Sequence, residues 1–412
     1  MHKIFHIDVN SAYLSWEAAY MMQRGAAVDL RDIPSIVGGD IEKRHGIVLA
    51  KSIPAKKYDI QTGESVASAK IKCPNLVSVP PNYERYIIAS NALVDIVKEY
   101  SPLVQRYSID EMFMDYISSD GDPLATAHMI RERVKEELGF TVNIGVGDNK
   151  LLAKMASDFQ KPDRVHTLYR NEIKEKLWPL PVRDLFMVGS RTEKKLISRG
   201  IETIGDLANL SRDYIEGWLK KPGLTIWEFA NGIESSNVRV DSLPIKSVGN
   251  STTISFDVCS GKEALMVVLA LCEMVALRLR AISMKSSVIH VGYKNSEFRH
   301  YGMERKLYSP TNATESIYNM ARKIFRKIWT GEPIRHISVR AGRLTDDKAV
   351  QLSLFDDYKK DYDNLDEAID SIRLKYGLKS IHRSIFLNSG ISPVIGGVIE
   401  EEEYPMMSSL LT

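Results

Sequence analysis

Three carboxylates in two short stretches carry the strongest chemical signal in this sequence. Asp8 stands in Lys3-Ile4-Phe5-His6-Ile7-Asp8-Val9, an apolar run that reads as a short buried strand with an acid near its end. Asp110 and Glu111 fall between two alternating runs, 103–107 and 112–116, that read as a hairpin with an acidic turn. A lone carboxylate at a strand end is ordinarily a solvated surface group. If the first strand and the hairpin are neighbours in one sheet, however, three such groups meet at one edge, and three anions repel unless a cation joins them. Hard oxygen donors suit Mg²⁺, which keeps waters and phosphate oxygens in its shell. Two such ions about 3.5–4 Å apart stabilise both the attacking and the leaving oxygen of an in-line phosphoryl transfer.

The flanking pattern supplies elements able to bring these groups together. Residues 11–23 place apolar side chains at helical spacing behind Ser11 as an N-cap, 83–100 is an amphipathic helix, 122–138 is another helix stopped by Gly139, and 141–147 is a β-branched strand. The order β, α, β, β, α, β is that of the split βαβ motif, an α+β arrangement with helices on one face of an antiparallel sheet. A segment rich in Gly and Pro, 26–80, reads as a small inserted subdomain. A helical stretch comes next over 185–232, then a polar linker at 235–245, then strands with two long helices from 246 to 344. Beyond these come the string Gln351-Leu352-Ser353-Leu354-Phe355, a helix over about 363–376 and a remainder read as mobile.

With 412 residues the chain exceeds a single core, so two to four domains are expected. Met1 to Asp8 lacks the features of a signal peptide and no apolar run of membrane-spanning length comes after it; three cysteines without CxxC spacing suggest neither disulfides nor zinc, so a soluble cytoplasmic protein without membrane contact is expected. The net charge of +2 hides a segregation: 241–345 holds 16 Lys/Arg against 8 Asp/Glu, whereas 356–403 is acidic. A basic excess by itself is usually solvated surface.

The segments His6-Ile7-Asp8-Val9-Asn10-Ser11-Ala12-Tyr13 and Tyr107-Ser108-Ile109-Asp110-Glu111 closely resemble the two catalytic motifs of Y-family DNA polymerases. Lys154-Met155-Ala156-Ser157-Asp158-Phe159-Gln160-Lys161-Pro162 and Lys246-Ser247-Val248-Gly249 match family patterns in order, so that the resemblance runs from residue 1 to about 380. It implies a right-hand polymerase: a ferredoxin-like βαββαβ palm (1–25 and 81–168), small fingers (26–80), a helical thumb (169–234) with a helix-hairpin-helix-like element, a linker (235–245), an α/β little finger (246–345), and a tail (346–412). The implied activity is low-fidelity, template-directed addition of dNTPs to a primer 3′ end, serving translesion synthesis in DNA repair. With the chain so assigned, no proofreading exonuclease is expected. The implied partners are primer-template DNA, dNTP and a sliding clamp, with the enzyme itself a monomer.

Carried over by position, Asp8, Asp110, Glu111 and the Val9 carbonyl would hold two Mg²⁺ ions, with Mn²⁺ as a possible substitute. The amides of Ser11, Ala12 and Tyr13 at a helix N-terminus would receive the triphosphate. Tyr13 resembles the family's steric gate against a ribose 2′-hydroxyl, although an aromatic at helical spacing is more often plain core. Lys161, with Lys154 seven residues earlier on the same helical face, resembles the phosphate-contacting lysines. Ile53-Pro54-Ala55-Lys56 departs from the family's Tyr-x-x-Arg: Lys56 keeps the charge and loses the forked geometry. Ile47, Leu49 and Gly63 align with positions roofing the nascent base pair. Gly189, in Val188-Gly189-Ser190-Arg191, resembles a phosphate-binding hairpin; a helix C-cap is its rival. Lys246, Arg278, Lys285, Arg299, Arg340 and Arg343 become candidates for DNA phosphates. Gln351, Leu352, Ser353, Leu354 and Phe355 look like the bacterial clamp-binding peptide. Asp-Val-Asn-Ser-Ala-Tyr leans towards the polymerase V catalytic subunits, while the clamp peptide occurs in these and in the polymerase IV group alike, so both types stay open. An inactive DNA- and clamp-binding relative would not need the intact acidic triplet, and a nucleotidyl cyclase sharing the palm would have no use for the thumb, basic domain or clamp peptide.

Overall fold

The computed structural model describes residues 2–39, 46–117, 121–240, 244–346 and 360–395, with side chains from 364 onward in the last stretch. It divides into two compact units, whose boundary falls between Leu243 and Pro244.

The first unit is organised around β1 (His2–Val9), whose residues from Ile4 onward are all buried. The helix α1 (Ala12–Gln23) comes directly after it. Ser11 does not cap it as the sequence suggests: its backbone is left-handed, with φ 50°, and its side chain makes no capping bond, because the chain turns sharply here from strand into helix. A small three-stranded sheet comes next, in the order β3-β2-β4, from β2 (Ser35–Gly38), β3 (Val48–Lys51) and β4 (Val77–Val79), with the short helices α2 (Ile53–Lys56) and α3 (Val66–Lys72). Ile36, Val48, Ile60, Val66 and Leu76 give it a core of its own.

The chain then returns through α4 (Tyr83–Lys98), capped by the Asn82 side chain, to β5 (Val104–Arg106), β6 (Glu111–Ile117), α5 (Pro123–Arg133), β7 (Val142–Gly147), α6 (Lys150–Asp158) and β8 (Val165–Leu168). Asp122 caps α5, and after a wider last turn Gly139 stops it at φ 74°. The main sheet has the order β5-β6-β1-β7-β8, with β1 antiparallel to both its neighbours. Alternation along β1 divides its labour: Phe5, Ile7 and Val9 join the core beneath α1, α4 and α5, while Ile4, His6 and Asp8 point to the opposite face. Helices therefore do not lie on one face alone, because α6 covers part of the second. It can do so because Gly145 and Gly147 of β7 leave room: a Cβ on Gly145 would fall 1.9 Å from the Ala153 carbonyl oxygen. The remainder of this unit is helical, with α7 (Ser190–Ile197), α8 (Ile204–Ala208) and α9 (Arg212–Ala230) around Leu185, Leu196, Ile204, Leu207 and Phe229. A non-helical residue, Lys220, just ahead of Pro222, kinks α9.

The second unit is a four-stranded antiparallel sheet in the order β11-β10-β12-β9, from β9 (Ser247–Val258), β10 (Met284–Asn295), β11 (His300–Thr311) and β12 (Ile334–Asp346), with α10 (Gly261–Ala281) and α11 (Thr314–Ile328) packed on it. The expected helix near 363–376 is α12 (Lys360–Tyr376). The chain from 377 to 395 is not the mobile remainder that its sequence suggests, since Phe386 and Ile391 are buried in the core of this unit. Arg373 donates to Glu273 at 2.7 Å and Arg280 donates to Asp370 at 2.5 Å, so helix α12 is fastened by ion pairs.

Candidate active site

Strand pairing brings the three carboxylates to one place. Asp8 is the cross-strand partner of Glu111, and the Val9 amide donates to the Asp110 carbonyl at 3.0 Å, extending the ladder by one residue. Ser108 shapes the turn: its hydroxyl donates to Asp110 Oδ1 at 2.6 Å and accepts the Glu111 amide at 3.0 Å. Burial raises the pKa of Asp8, although Lys161 opposes it, and burial likewise raises that of Asp110. Burial also acts on Glu111, but His6 and Lys154 outweigh it and hold that carboxyl down at about 2.

Two lysines lie against this set. Lys154 Nζ donates to Glu111 Oε2 at 2.8 Å, and Lys161 Nζ bonds to Asp8 as well as to Asp158 at 2.8 Å. They do not share a helical face as the sequence suggests: α6 ends at Asp158, and Lys161 reaches back from the loop beyond it. That loop is pinned by two asparagines. Asn143 Nδ2 donates to the carbonyls of Ser157 and Gln160, Asn10 Oδ1 accepts the Asp163 amide, and the two side chains bond to each other at 3.1 Å. His6 is fully buried beside them, with Nδ1 2.8 Å from the Ser157 hydroxyl and Nε2 3.7 Å from Glu111; burial lowers its pKa.

Among the described residues, no three Asp, Glu, His or Cys side chains close on a common point tightly enough for a metal ion. Ammonium groups balance Asp8 and Glu111, and Asp110 is turned towards Ser108. The set nevertheless fits a hard divalent cation in kind. It offers only oxygen donors, at adjacent positions of one strand pair, and two of its carboxyls are buried enough to resist ionisation without a counter-charge.

Tyr13 rises from the first turn of α1 and stacks on Tyr86 of α4 at 4.6 Å between ring centres, with an interplanar angle of 13°. Tyr83 meets it edge-on at 6.1 Å, and burial together with Asp110 pushes the Tyr13 phenol up to about 12. In the small sheet, Lys56 is exposed at the end of α2. Ile47 is 47% exposed and bridges to Ser65, Gly63 turns at φ 88° with its amide on Val48, and Leu49 packs partly against Leu14, Ala18 and Val37. Gly189 proves to be the N-cap of α7 rather than a helix C-cap.

In the second unit, Lys246, Arg340 and Arg343 line one groove of about 240 Å³ with His290 and Glu304. The other basic candidates are not among its lining residues: Arg278 donates to the Gly249 carbonyl at 3.1 Å, Arg299 pairs with Glu297, and Lys285 lies opposite Thr345 in the sheet. Gln351, Leu352, Ser353, Leu354 and Phe355 lie outside the described residues. His6, Ser157, Asn10, Asn143 and Tyr86 were not singled out as site residues from the sequence. Only the position of His6 and Asn10 beside Asp8, and of Ser157 between Lys154 and Lys161, hinted at them.

Known proteins resemble this chain in sequence and fold. The impB/mucB/samB family model matches residues 7–158, that family's C-terminal domain matches 245–354, and the IMS family HHH motif matches 170–201. DNA polymerase IV of Clostridium acetobutylicum is 44% identical over 389 residues, covering 93% of this chain and 98% of the relative. DNA polymerase IV 2 of Bacillus subtilis is 36% identical over 397 residues, covering 94% and 95%. A solved Y-family DNA polymerase chimera superposes with a TM-score of 0.71 at 20% identity, over 84% of this chain and 100% of the other. The chain belongs to the impB/mucB/samB family, the Y-family DNA polymerases, with their α+β right-hand fold. It is a DNA-directed DNA polymerase of the translesion kind, acting on primer-template DNA and dNTPs with metal dependence. Of the two types left open by the sequence, the relatives at 33–44% identity carry the name DNA polymerase IV. None of the described helices is long and apolar enough to cross a membrane.

Proposed function

We propose that this enzyme extends primers by nucleotidyl transfer at the sheet edge where Asp8, Asp110 and Glu111 meet, with low fidelity and without proofreading, as a cytoplasmic monomer. The observation that supports it most is the cross-strand pairing of Asp8 with Glu111 beside the Val9–Asp110 bond. Asp8, Asp110, Glu111 and the Val9 carbonyl would hold two Mg²⁺ or Mn²⁺ ions, which when bound activate the primer hydroxyl and neutralise charge on the departing pyrophosphate. The protein's own groups do the rest. The amides of Ser11, Ala12 and Tyr13 open α1 towards the triphosphate, where unpaired donors and the helix dipole favour an anion. Lys154 and Lys161 exchange their carboxylate partners for phosphate oxygens as negative charge arrives, and Lys56 adds a cation from the small sheet.

Tyr13, backed by Tyr86, closes the space below the sugar, and Ile47, Leu49 and Gly63 roof the base pair loosely. In this assignment 1–25 and 81–168 form the palm, 26–80 the fingers, 169–234 the thumb, 235–245 the linker and 246–345 the little finger. Gly189 at the start of α7, and Lys246, Arg340 and Arg343 in their groove, meet DNA phosphates without reading sequence. Gln351 to Phe355 docks in the apolar pocket of a sliding clamp. Primer extension with Mg²⁺ tests the core of this: the wild type extends, and Asp110→Ala lowers the rate by about a thousandfold or more, as loss of a charge-stabilising group in phosphoryl transfer does. Absence of extension by the wild type, or extension that persists in Asp110→Ala, defeats it.

A further inference from the structure

The first unit contains a buried polar group that the chemistry above does not use. His6 has no exposed surface, and among the described residues its Nε2 has no hydrogen-bond partner. An orphaned ring nitrogen in a packed interior is costly, and natural structures retain one where it serves a purpose. His6 does not lie loose: its ring packs tilted against Phe113, with centres 4.7 Å apart and planes at 53°, and its Nδ1 is 2.8 Å from Ser157 Oγ. The unpartnered Nε2 faces Glu111 Oε2 at 3.7 Å, so a side-chain shift of roughly 0.7 Å brings the pair to hydrogen-bond length.

Ser157 is held as firmly as the ring it touches. Gly145, the cross-strand partner of His6, meets α6 with backbone against backbone: a Cβ there would fall 2.4 Å from the Ser157 amide nitrogen. The register of α6 on the sheet is thereby fixed. One register sets Ser157 on His6 and Lys154 on Glu111, where the ammonium donates at 2.8 Å. The Ser157 hydroxyl has one proton and two acceptors in reach, the Lys154 carbonyl at 2.8 Å and His6 Nδ1 at 2.8 Å. When the hydroxyl donates to Nδ1 as acceptor, the neutral imidazole carries its one proton on Nε2, pointing at Glu111, and a carboxylate on that side favours this tautomer.

We infer that His6, oriented by Ser157, is a positioning residue that holds the Glu111 carboxylate in place beside Asp8. The inference rests on Asp8, Asp110 and Glu111 carrying the reaction. Histidine and carboxylate partners behind a reacting group restrict its rotation, and losing one costs about 10- to 100-fold in metal affinity or turnover. His6→Leu fills the volume without the Nε2 donor, whereas His6→Gln restores a donor at nearly the same reach.

The test compares both variants with the wild type in the full chain. In primer extension, kcat of His6→Leu falls about 10- to 100-fold while KM for dNTP stays within about twofold, and His6→Gln recovers most of the loss. Without turnover, DNA binding by fluorescence anisotropy is unchanged in both, and Mn²⁺ binding, read from its paramagnetic resonance signal, weakens in His6→Leu alone. Wild-type kcat in His6→Leu, or equal loss in both variants together with lost DNA binding, overturns the inference. Should His6→Leu fail to fold, Ser157→Ala takes its place: kcat drops about threefold to tenfold at an unchanged melting temperature, and a wild-type kcat sinks the idea. The two levels separate cleanly. If the wild type does not extend, or Asp110→Ala does, the active-site assignment falls and the role of His6 with it. If those controls behave and His6→Leu turns over normally, only the role of His6 is lost.

Discussion

Replacing Glu273 by leucine isolates the ion pair that fastens α12 to the second unit. Glu273 is 4% exposed on α10 and accepts from Arg373 Nη2 and Arg383 Nε, each at 2.7 Å. Arg383 is partly exposed and can turn to water, but Arg373 is 6% exposed and, among the described residues, would keep only the Ile381 carbonyl. Removing one partner of a buried pair leaves an uncompensated charge and costs about 3–5 kcal/mol. At about 2–4 °C per kcal/mol for a unit of this size, the transition of the second unit should fall by roughly 6–20 °C. Arg373→Met added to Glu273→Leu removes the stranded charge and should recover most of the loss, because a well-packed apolar pair matches a buried ion pair in stability. Scanning calorimetry of the full chain reads both effects. A Glu273→Leu transition within about 2 °C of the wild type, or a double variant no better than the single one, would refute the assignment of α12 as a fastened element.

Contacts in the first unit give two further expected outcomes. Tyr86→Leu removes the ring on which Tyr13 stacks and, like Tyr13→Ala, should raise ribonucleotide incorporation relative to dNTP by about tenfold or more, measured as the ratio of kcat/KM values; unchanged discrimination in both would contradict a gate at Tyr13. Burial tends to raise the Asp148 carboxyl, but the 2.5 Å bond from Lys3 and the Arg170 amide outweigh it and lower the pKa. That stabilisation exists above the unfolded value, about 3.9, and is lost as pH falls through the lower folded value, so Asp148→Asn should lower the melting temperature at pH 7 and leave it unchanged in strong acid. A cost that does not change with pH would show that the ion pair is not its source.

Much of the site could be read from the sequence because its parts are local. An apolar strand ending in Asp8 and a hairpin broken by Asp110 and Glu111 are patterns of a few residues, and a two-residue alternation fixes which side each group faces. The serine before α1 misled because a cap residue signals a boundary without revealing the left-handed turn that this one makes. Lys161 appeared helical because periodicity does not show where a helix yields to a loop held by asparagines from other strands. The support from His6 and Ser157 depends on partners 151 residues apart, and the packing of α12 on partners 100 and 90 residues away, so local spacing could not encode either. Gly145 was silent for a related reason. A glycine in a strand reveals close approach only once the element that approaches is known.

The first turn of α11 has an unusual dependence on time. The Thr314 amide, which opens that helix, is satisfied by Asp366 Oδ2 at 2.8 Å, an acceptor supplied 52 residues later. A ribosome adding about 5–20 residues each second needs roughly 3–10 s to deliver it. Until then the helix start stays hydrated, Arg280 awaits its acids, and the apolar surface destined for Phe386 remains open to solvent. A nascent chain whose second unit has closed has thus already translated residues 351–355, so maturation of the fold is scheduled after the string proposed to meet the clamp.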